Sequence, residues 1–532
     1  MLDKSLKIKF TKELNKNRHK MPINSLSKTW DKYQYVIRQS WIVNVVSLLG
    51  LIATLLAYSS LIQTLNLNFS LFILFVILGS YFLINKVIYF LINIFYPKFQ
   101  LESHVELIEE FWNENDEPTV DIFLPTCGEE VELISKTLDA IKNLNYKNYK
   151  VYVLDDKGDL SLKNLVDDYR FNYLSRPNKR EYKKSGNLQY GYDNSNGKYT
   201  LVLDADFRPH VDALKETIPY LEINKRIGIL QTPQYFATDK AVSKRSWVEY
   251  GAGVITEDFY RITQPARSLF GGAICVGTSA IYRRKAILQG GGSPKCHGSE
   301  DVRQGLMLKK IGYQTVFLPL VISQGICPDN LEAYFKQHNR WCSGSLELFF
   351  SDLLHGNRLG FGARMCYLSN FTYYTTEALS PLLGLHIFLL LLLYPEKLNL
   401  LNYIFYVPYI MYELFWTFKI RKSKFHLGLI LAGLSNTYTY IYAISTLLFG
   451  KKLAWQATNA KTQSVSIPFI VTVNIALVVC LVYCTLLGFS FKNHGIDLLY
   501  NYNTWAMLFT CLVLISKNFL YFGSGLRYIW SK

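Results

Sequence analysis

The sequence lacks the paired cysteines of a disulfide framework or a structural zinc site. Its nine cysteines are scattered, and the absence of a CxxC pair excludes the usual zinc-ribbon and thioredoxin-like patterns. We therefore expect free thiols, buried in the protein or the membrane and kept in a reducing compartment. The nine are Cys127, Cys275, Cys296, Cys327, Cys342, Cys366, Cys480, Cys484 and Cys511.

The sequence also lacks a cleavable leader, internal repeats and low-complexity linkers. About forty polar and basic residues precede the first apolar run, which is not the pattern of a signal peptide. The absence of a repeat with a period of about 20–50 residues excludes solenoid and propeller architectures. The sequence carries no nucleic-acid-binding module, so we expect no nucleic acid among its partners.

The composition combines too many apolar residues for a soluble protein with too many charges for a purely membrane-embedded one. Half of the 532 residues are hydrophobic, and 18% are charged. A soluble domain that interrupts membrane segments accounts for both values. The formal net charge of +16 favours a lipid bilayer and phosphate-bearing substrates as partners. The 38 Tyr and 33 Phe suit membrane interfaces and can stack on sugar rings.

Apolar runs predict six membrane spans, since a spanning helix needs about 20 apolar residues. The segment 425–449 has Lys and Arg on both flanks, so we interpret it as an interfacial helix on the cytoplasmic surface. The same charge pattern places both termini and the segment 97–365 inside, which predicts a multi-pass protein of the plasma membrane. The predicted spans are 41–62, 69–96, 369–393, 401–418, 467–489 and 500–523.

Four domains follow from this pattern. A basic cytosolic segment at 1–40 precedes two transmembrane helices at 41–96. A cytosolic domain at 97–365 comes next, and 366–532 holds the other four spans with the interfacial helix.

Short β-rich runs alternate with helical patterns in the cytosolic domain. This alternation predicts an α/β domain with a mostly parallel sheet, in which ligands bind beyond the carboxyl ends of the strands. The predicted strands are Val120–Leu124, Lys150–Leu154, Tyr199–Leu203 and Gly228–Gln231, and the predicted helices include Glu130–Leu144 and Val211–Ile223.

Acidic residues follow two of these strands. Asp155 and Asp156 follow one, and Asp204 and Asp206 follow another as a DxD motif. Two carboxylates at such a strand end can share Mg²⁺ or Mn²⁺ with a diphosphate, because hard cations prefer oxygen ligands. A solvated turn would explain a lone DxD equally well.

Two helical motifs add a candidate general base and a candidate surface on which a sugar ring could rest. Glu300 and Asp301 begin a predicted helix, where a carboxylate serves either as a helix cap or as a general base. In the second motif, Gln337, Arg340 and Trp341 share one helix face. Arg can grip diphosphate oxygens, and Trp offers a flat apolar face to a sugar ring. The alternative for this pair is an ordinary membrane-interface Arg and Trp.

The order of the motifs resembles the cellulose synthase-like family 2 glycosyltransferases. The resemblance covers about residues 120–345 and extends to the flanking membrane pattern. The motifs are PTxxE at 125–129, DD at 155–156, KxGN at 184–187, DxD at 204–206, QTPQ at 231–234, ED at 300–301 and QxxRW at 337–341.

This resemblance implies a GT-A fold, a UDP-sugar donor and Mg²⁺ or Mn²⁺ as cofactor. It also implies residue roles. The donor contacts would be Thr126, Glu129, Asp155, Asp156, Lys184 and Arg340, and the metal carboxylates would be Asp204 and Asp206. Asp301 would be the catalytic base with Glu300 beside it, and the acceptor contacts would be Gln337, Trp341 and Ser279. A gating loop would lie at 455–461, with Trp455, Thr458 and Lys461.

The sequence departs from the family pattern at three places. The gating-like segment has Trp455 for Phe and one extra residue before Lys461. The segment 275–279 has its Cys displaced by one position, which puts the acceptor contact in doubt. The chain ends soon after its last predicted span, so we expect no C-terminal cyclic-nucleotide-binding domain.

The resemblance favours a processive, inverting synthase that makes a β-glucan from UDP-glucose and secretes it across the membrane. The product could be cellulose, a mixed-linkage or β-1,3 glucan, or a capsular glucan. A chitin-like polymer synthase and a non-processive lipid glycosyltransferase are alternative enzymes. A transporter or receptor with a nucleotide-sugar-binding domain is the non-enzymatic alternative. Linkage, primer, homo-oligomer formation and accessory subunits stay open.

Overall fold

A computed structural model describes residues 30–236, 247–296, 298–328, 330–350, 359–394, 404–420 and 427–449. The chain divides into two units, 1–31 and 32–532. The first unit is described only at Trp30 and Asp31, and all the helices and strands below belong to the second. The predicted spans 467–489 and 500–523 and the predicted gating loop 455–461 lie outside the described residues.

Two apolar helices precede the α/β domain. Helix α1 is Ser40–Gln63 and helix α2 is Phe69–Ile94, where the Asn68 side chain caps α2 by accepting the Leu71 amide at 3.0 Å. In the described part of the chain, Ser40–Asn66 and Phe69–Ile94 are the helices found long and apolar enough to cross a membrane. Their positions agree with the first two predicted spans. The other spans stay predictions.

The central domain contains a mixed β-sheet, and the predicted α/β class is confirmed. Each predicted strand forms, with ends within two residues of those expected. The strands are β1 Val120–Thr126, β2 Tyr149–Asp155, β3 Asn172–Leu174, β4 Tyr199–Val202, β5 Arg208–Pro209, β6 Ile227–Gln231, β7 Tyr235–Phe236, β8 Ala280–Arg283, β9 Gln314–Phe317 and β10 Ser323–Gly325.

Among the described residues, seven strands form one sheet in the order β3-β2-β1-β4-β8-β6-β9. The pairs β1–β2, β1–β4, β2–β3 and β6–β9 are parallel, as expected. Strand β8 is antiparallel to both of its neighbours, β4 and β6. A separate small sheet has the order β5-β10-β7. The prediction of a mostly parallel sheet is therefore correct apart from β8, which carries the chain back between the two parallel halves.

Helices cover the sheet through apolar faces. Helix α4, for example, buries Ile134, Leu138 and Ile141 against strands β1 and β2. The helices of this domain are α3 Leu101–Glu114, α4 Val131–Lys142, α5 Leu160–Asp168, α6 Lys183–Asp193, α7 Ala213–Ile223, α8 Trp247–Asp258, α9 Gln264–Leu269, α10 Arg284–Gln289, α11 Glu300–Lys310 and α12 Leu331–Leu348.

Within the residues that the structure describes, three further helices follow the α/β domain. Helix α13, Phe361–Leu393, begins eight residues before the predicted span and crosses the predicted domain boundary at 365. Helix α14, Val407–Phe415, is followed by a π-helical turn at Trp416–Ile420. Helix α15, Leu427–Leu448, occupies the segment predicted as an interfacial helix. It packs on α8 and α12 of the α/β domain, and Tyr334 on α12 donates to Asn436 at 2.8 Å.

Residues 32–36, here called the strap, hold the start of α1 against the α/β domain. The Lys32 ammonium lies 3.1 Å from Asp212 and 2.5 Å from Glu216, both at α7. Glu216 also bonds the buried His104 of α3 at 2.5 Å. The Lys32 carbonyl accepts the Val321 amide at 2.8 Å. The strap that precedes α1 is thus tied to α3 and α7 by a largely buried ionic cluster.

Candidate active site

The DxD turn lies directly beyond strand β4. The Asp204 amide donates to the Thr278 hydroxyl at 2.9 Å, and the Ala205 carbonyl accepts from the Thr137 hydroxyl at 2.7 Å. Two neighbouring segments therefore fix the turn, and the Asp206 carboxyl stays half-buried. Burial and the negative charge of Asp204 raise the pKa of Asp206 to about 7.

A third carboxylate faces this turn. Burial, followed by the charges of Asp204 and Asp155, raises the pKa of Glu129 despite its bond from the Cys127 amide at 2.6 Å. Negative charge is therefore concentrated around Glu129, Asp204 and Asp206, a region that we call the cleft. Lys184 is paired there with Asp204.

This donor set fits a divalent cation. Asp204 and Asp206 offer carboxylate oxygens, the ligands that Mg²⁺ and Mn²⁺ prefer. The raised pKa of Asp206 means that its charged form is poorly compensated in the protein alone. A bound cation would supply that compensation, since a nearby positive charge favours the ionised form.

The two acidic residues after strand β2 have different surroundings. Asp155 accepts the amides of Lys157 at 2.8 Å and Asp159 at 2.6 Å and the hydroxyl of Tyr173 at 2.7 Å. Asp156 forms a buried two-point pair with Arg176, at 2.7 and 3.0 Å. The Asp156 carboxylate is thereby occupied within the protein, although the sequence placed it among the donor contacts.

Arg176 was missed by the sequence reasoning, and it connects Asp156 to the KxGN motif. Its guanidinium donates to the Glu181 carbonyl at 2.5 Å and to the Lys183 carbonyl at 3.1 Å, just before Lys184. Gly186 leaves room for this approach, because a Cβ there would clash with both the Glu181 carbonyl and Arg176.

The Lys184 ammonium reaches across to the opposite side of the cleft. It pairs with Asp204 and donates to the Gly277 carbonyl at 2.8 Å. Burial alone would lower the pKa of Lys184, but the charges of Asp204 and Glu300 raise it above the ordinary value. This lysine is therefore held as a cation between the DxD turn and the ED motif.

Helix α11 begins at the ED motif and presents Asp301 to the same cleft. An oxygen of the Asp301 carboxylate accepts the Val302 amide at 2.8 Å. Burial, and then the charge of Glu300, raise the pKa of Asp301 to about 7. A carboxyl with a pKa near neutrality suits a general base, because it accepts a proton strongly and yet ionises at physiological pH.

Helix α12 brings the QxxRW motif onto the start of α11. Gly344 contacts Ser299, the residue before Glu300, so closely that a Cβ would overlap the serine hydroxyl. Burial lowers the pKa of Arg340, while the charges of Glu300, Asp204, Asp301 and Asp206 oppose that effect. The guanidinium therefore lies within the electrostatic reach of every carboxylate in the two acidic motifs.

The other two residues of the QxxRW motif lie on the same helix. Gln337 and Trp341 lie half-buried on α12. The Trp341 ring packs against His338 with a centroid separation of 4.8 Å, and it belongs to an apolar cluster with Cys342 and Tyr374. The tryptophan plane is therefore fixed by its neighbours.

The segment 276–279 supplies contacts that the sequence did not indicate. The predicted acceptor contact, Ser279, is fully buried and its hydroxyl bonds Ser323. Its neighbour Thr278 bonds Asp204, and Gly277 lies against Asp301 and Lys184. The positive φ of 77° at Gly277 is the local signal for this close approach, since glycine is favoured there.

Comparisons with known proteins agree with the motif order. Residues 121–291 match the family described as glycosyl transferase family 2. Cellulose synthase 1 of Komagataeibacter xylinus is 30% identical over 263 residues, which cover 49% of this chain and 17% of that protein. The UDP-forming cellulose synthase catalytic subunit of Pseudomonas fluorescens is 28% identical over 253 residues, which cover 47% and 34%. The chain thus spans a small part of the length of these relatives.

Among solved structures, a mannosyltransferase of Pyrobaculum calidifontis in complex with GDP-Man and Mn²⁺ is 15% identical, with a TM-score of 0.46. The match covers 66% of this chain and 97% of the mannosyltransferase. TarS of S. aureus in complex with UDP-GlcNAc is 13% identical, with a TM-score of 0.30, and the match covers 63% and 93%.

Proposed function

We propose that this chain transfers glucose from UDP-glucose to a growing β-glucan, because residues 121–291 match glycosyl transferase family 2 and the similar proteins include bacterial cellulose synthases. The acceptor end would lie in the cleft of the α/β domain. The polymer would leave through the helices that follow and precede that domain. The enzyme would work at the plasma membrane with its catalytic domain in the cytoplasm.

One observation carries this proposal. The DxD carboxylates, the ED carboxylates, Lys184 and Arg340 act on one another electrostatically in a single cleft, although they come from four separate parts of the chain. Glycosyl transfer from a nucleotide sugar needs this combination of a metal site, cations for a diphosphate and one base. A binding protein has no need of a base with a raised pKa beside the metal carboxylates.

The donor would bind along the carboxyl ends of β1, β2 and β4. Thr126 and Asp155, which pair in the register of β1 and β2, would contact the nucleoside with Glu129. Asp204 and Asp206 would hold Mg²⁺ or Mn²⁺, which when bound offsets the charge of the departing diphosphate. Lys184 and Arg340 would bind diphosphate oxygens as cations, with Arg suited to two-point contacts.

Asp301 would act on the acceptor. Its carboxylate takes the proton of the acceptor hydroxyl while that oxygen bonds to the anomeric carbon of the donor. The bond between the anomeric carbon and the diphosphate oxygen breaks, and UDP leaves with the electron pair. Attack opposite the leaving group inverts the anomeric configuration, so an α-linked donor gives a β-linked product.

Trp341 would support the acceptor sugar. Its indole is held by His338 and by the apolar cluster around Tyr374, so a flat apolar surface stays in one place while a sugar ring slides over it. The same residue on α12 adjoins Arg340, so the donor end and the acceptor end of the reaction would meet at one helix.

A donor panel tests the function. The full chain in nanodiscs is incubated with UDP-glucose, UDP-N-acetylglucosamine, UDP-galactose or UDP-glucuronate, each with Mg²⁺, Mn²⁺ or a chelator. UDP release and high-molecular-weight product are measured, and the product is digested with linkage-specific glucanases and chitinase. We expect metal-dependent polymer from UDP-glucose that a β-glucanase digests.

The other outcomes discriminate among the alternatives. Polymer from UDP-N-acetylglucosamine, cut by chitinase, would indicate a chitin-like synthase. UDP release without polymer would indicate transfer to a lipid. Donor binding with no UDP release from any donor would contradict enzymatic activity and favour a transporter or receptor.

A further inference from the structure

The segment 276–279 touches three functional groups of the cleft. The Gly277 carbonyl accepts from Lys184 at 2.8 Å, and the Thr278 hydroxyl accepts the Asp204 amide at 2.9 Å. A Cβ built on Gly277 would lie 3.0 Å from an oxygen of Asp301. A shift of this segment would therefore move the DxD turn, the lysine and the base relative to one another.

This segment has an unfavourable backbone conformation. Gly277 has a φ of 77° and Ser279 a φ of 54°. A left-handed serine is costly, so such a conformation persists only where its surroundings hold it in place.

Gln231, the last residue of β6, provides that restraint. Its side-chain oxygen accepts the Val276 amide at 2.8 Å. Its side-chain nitrogen donates to the carbonyls of Thr278 at 2.9 Å and Thr232 at 2.8 Å. Gln231 is fully buried, so without it the Val276 amide and the Thr278 carbonyl would lose partners where water is excluded, which is unfavourable.

We propose that Gln231 is a positioning residue that sets the distance between the metal carboxylate Asp204 and the base Asp301 by clamping residues 276–279. The residue touches neither donor nor acceptor, and it acts through Thr278 and Gly277. This inference rests on the proposed glycosyl transfer for its catalytic consequence, whereas the clamp itself is a property of the fold.

The test compares Gln231→Met with Gln264→Leu. The methionine keeps the approximate volume and removes all the side-chain hydrogen bonds of residue 231. Gln264 is a matched control, since it is also fully buried. Its side chain bonds Ile274, two residues before the clamped segment 276–279, accepting the Ile274 amide at 3.0 Å and donating to the Ile274 carbonyl at 2.7 Å.

Three quantities are measured for each variant in nanodiscs: kcat for UDP release, the Kd for UDP, and hydrogen exchange of the peptide that covers 273–280. In Gln231→Met we expect kcat to fall about 10- to 100-fold, because a misplacement of about 1 Å can cost about 100-fold. The Kd for UDP should stay near wild type, because the proposed nucleoside contacts lie on β1 and β2. Gln264→Leu should keep most of the turnover.

Hydrogen exchange separates this inference from the proposed function. Faster exchange across 273–280 in Gln231→Met supports the clamp even if the wild type turns over no donor. Unchanged exchange overturns the clamp whatever the activity. Wild-type kcat in Gln231→Met, or equal losses in both variants, overturns the positioning role.

Discussion

At the scale of single residues, the strongest feature of the cleft is a carboxyl that ionises near neutral pH. Asp301 lies beside Glu300, faces Gly277 and stays within the reach of Lys184. We expect Asp301→Asn to lower turnover by about 100- to 10,000-fold, the usual contribution of a general base. UDP affinity should change little, because asparagine keeps the shape and loses only the ability to accept the proton.

UDP release and the Kd for UDP, measured on the same preparation, check this prediction. Asp159→Asn is a suitable control, since Asp159 is an acidic residue that caps α5 away from the base. Near-normal turnover in Asp301→Asn would contradict the assignment of the base.

The pH dependence of turnover should reveal the effect of the Glu300 charge on the pKa of Asp301. Asp301 acts only when deprotonated, and burial together with the Glu300 charge raises its pKa to about 7. Activity should therefore fall as the pH drops through about 7. Glu300→Gln removes the repulsive charge and keeps the burial, so the acidic limb should move to lower pH.

A pH–rate profile at saturating Mn²⁺ checks this shift. The metal must saturate because Asp206 also has a pKa raised to about 7, so metal binding itself weakens as protons compete in acid. An acidic limb at the same pH in wild type and Glu300→Gln would show that Glu300 does not influence the base.

At the scale of elements, the contact between α11 and α12 determines whether Arg340 and Trp341 reach the cleft. We expect Gly344→Ala to reduce turnover strongly, because the new methyl group overlaps the Ser299 hydroxyl and separates the two helices. Alanine is the better helix former, so a loss of activity would not come from helix propensity.

A double variant distinguishes this contact from a general loss of folding. Ser299→Gly removes the hydroxyl, and glycine suits the φ of 49° at that position. We expect Ser299→Gly with Gly344→Ala to recover much of the turnover that Gly344→Ala loses. Additive losses in UDP release would contradict the proposed helix contact.

The elements themselves were largely predictable from local pattern. Strands β1, β2, β4 and β6 are short apolar runs that end at polar clusters, so periodicity and composition are enough to find them. The rule that ligands bind at the carboxyl ends of the strands also predicts that Asp155 and Asp204 lie at one edge of the sheet. Helices α1 and α2 followed from apolar length alone.

The parts that were missed depend on contacts between distant residues. Asp156 pairs with Arg176, but the sequence offers Arg170 and Arg180 at similar separations, and only the path of the loop selects one. The antiparallel direction of β8 arises from the long excursion between β6 and β8. The apolar pattern of a strand does not show whether it runs parallel or antiparallel to its neighbours. The contacts of 276–279 with Asp204, Lys184 and Asp301 could therefore not be predicted from the sequence.

At the scale of the whole molecule, the strap joins the α/β domain to helix α1. Lys32 and Glu216 are mostly buried, with side-chain exposures of 18% and 7%. We expect Lys32→Met to destabilise the second unit by about 3 kcal/mol, the lower range for breaking a buried ion pair, because Glu216 keeps His104 as a partner.

Thermal unfolding in detergent measures this loss as a lower midpoint. Lys136→Met is the matched control, because Lys136 forms an exposed pair with Glu132 one helical turn away. Such an exposed pair contributes little to stability, because water screens the two charges. Equal midpoints for the two variants would show that the strap does not hold the domain.

The order of strands in the large sheet also has a consequence for synthesis on the ribosome. Strands β1 to β4 pair among themselves, so that half of the sheet can form as soon as it emerges. Strand β6 pairs only with β8 and β9 in the large sheet, both of which are made later. The edges of β6 therefore stay unpaired until β8, Ala280–Arg283, has left the exit tunnel of the ribosome. Unpaired strand edges promote aggregation. The nascent chain therefore needs a chaperone most after its first two apolar helices have been made and before β8 pairs with β6.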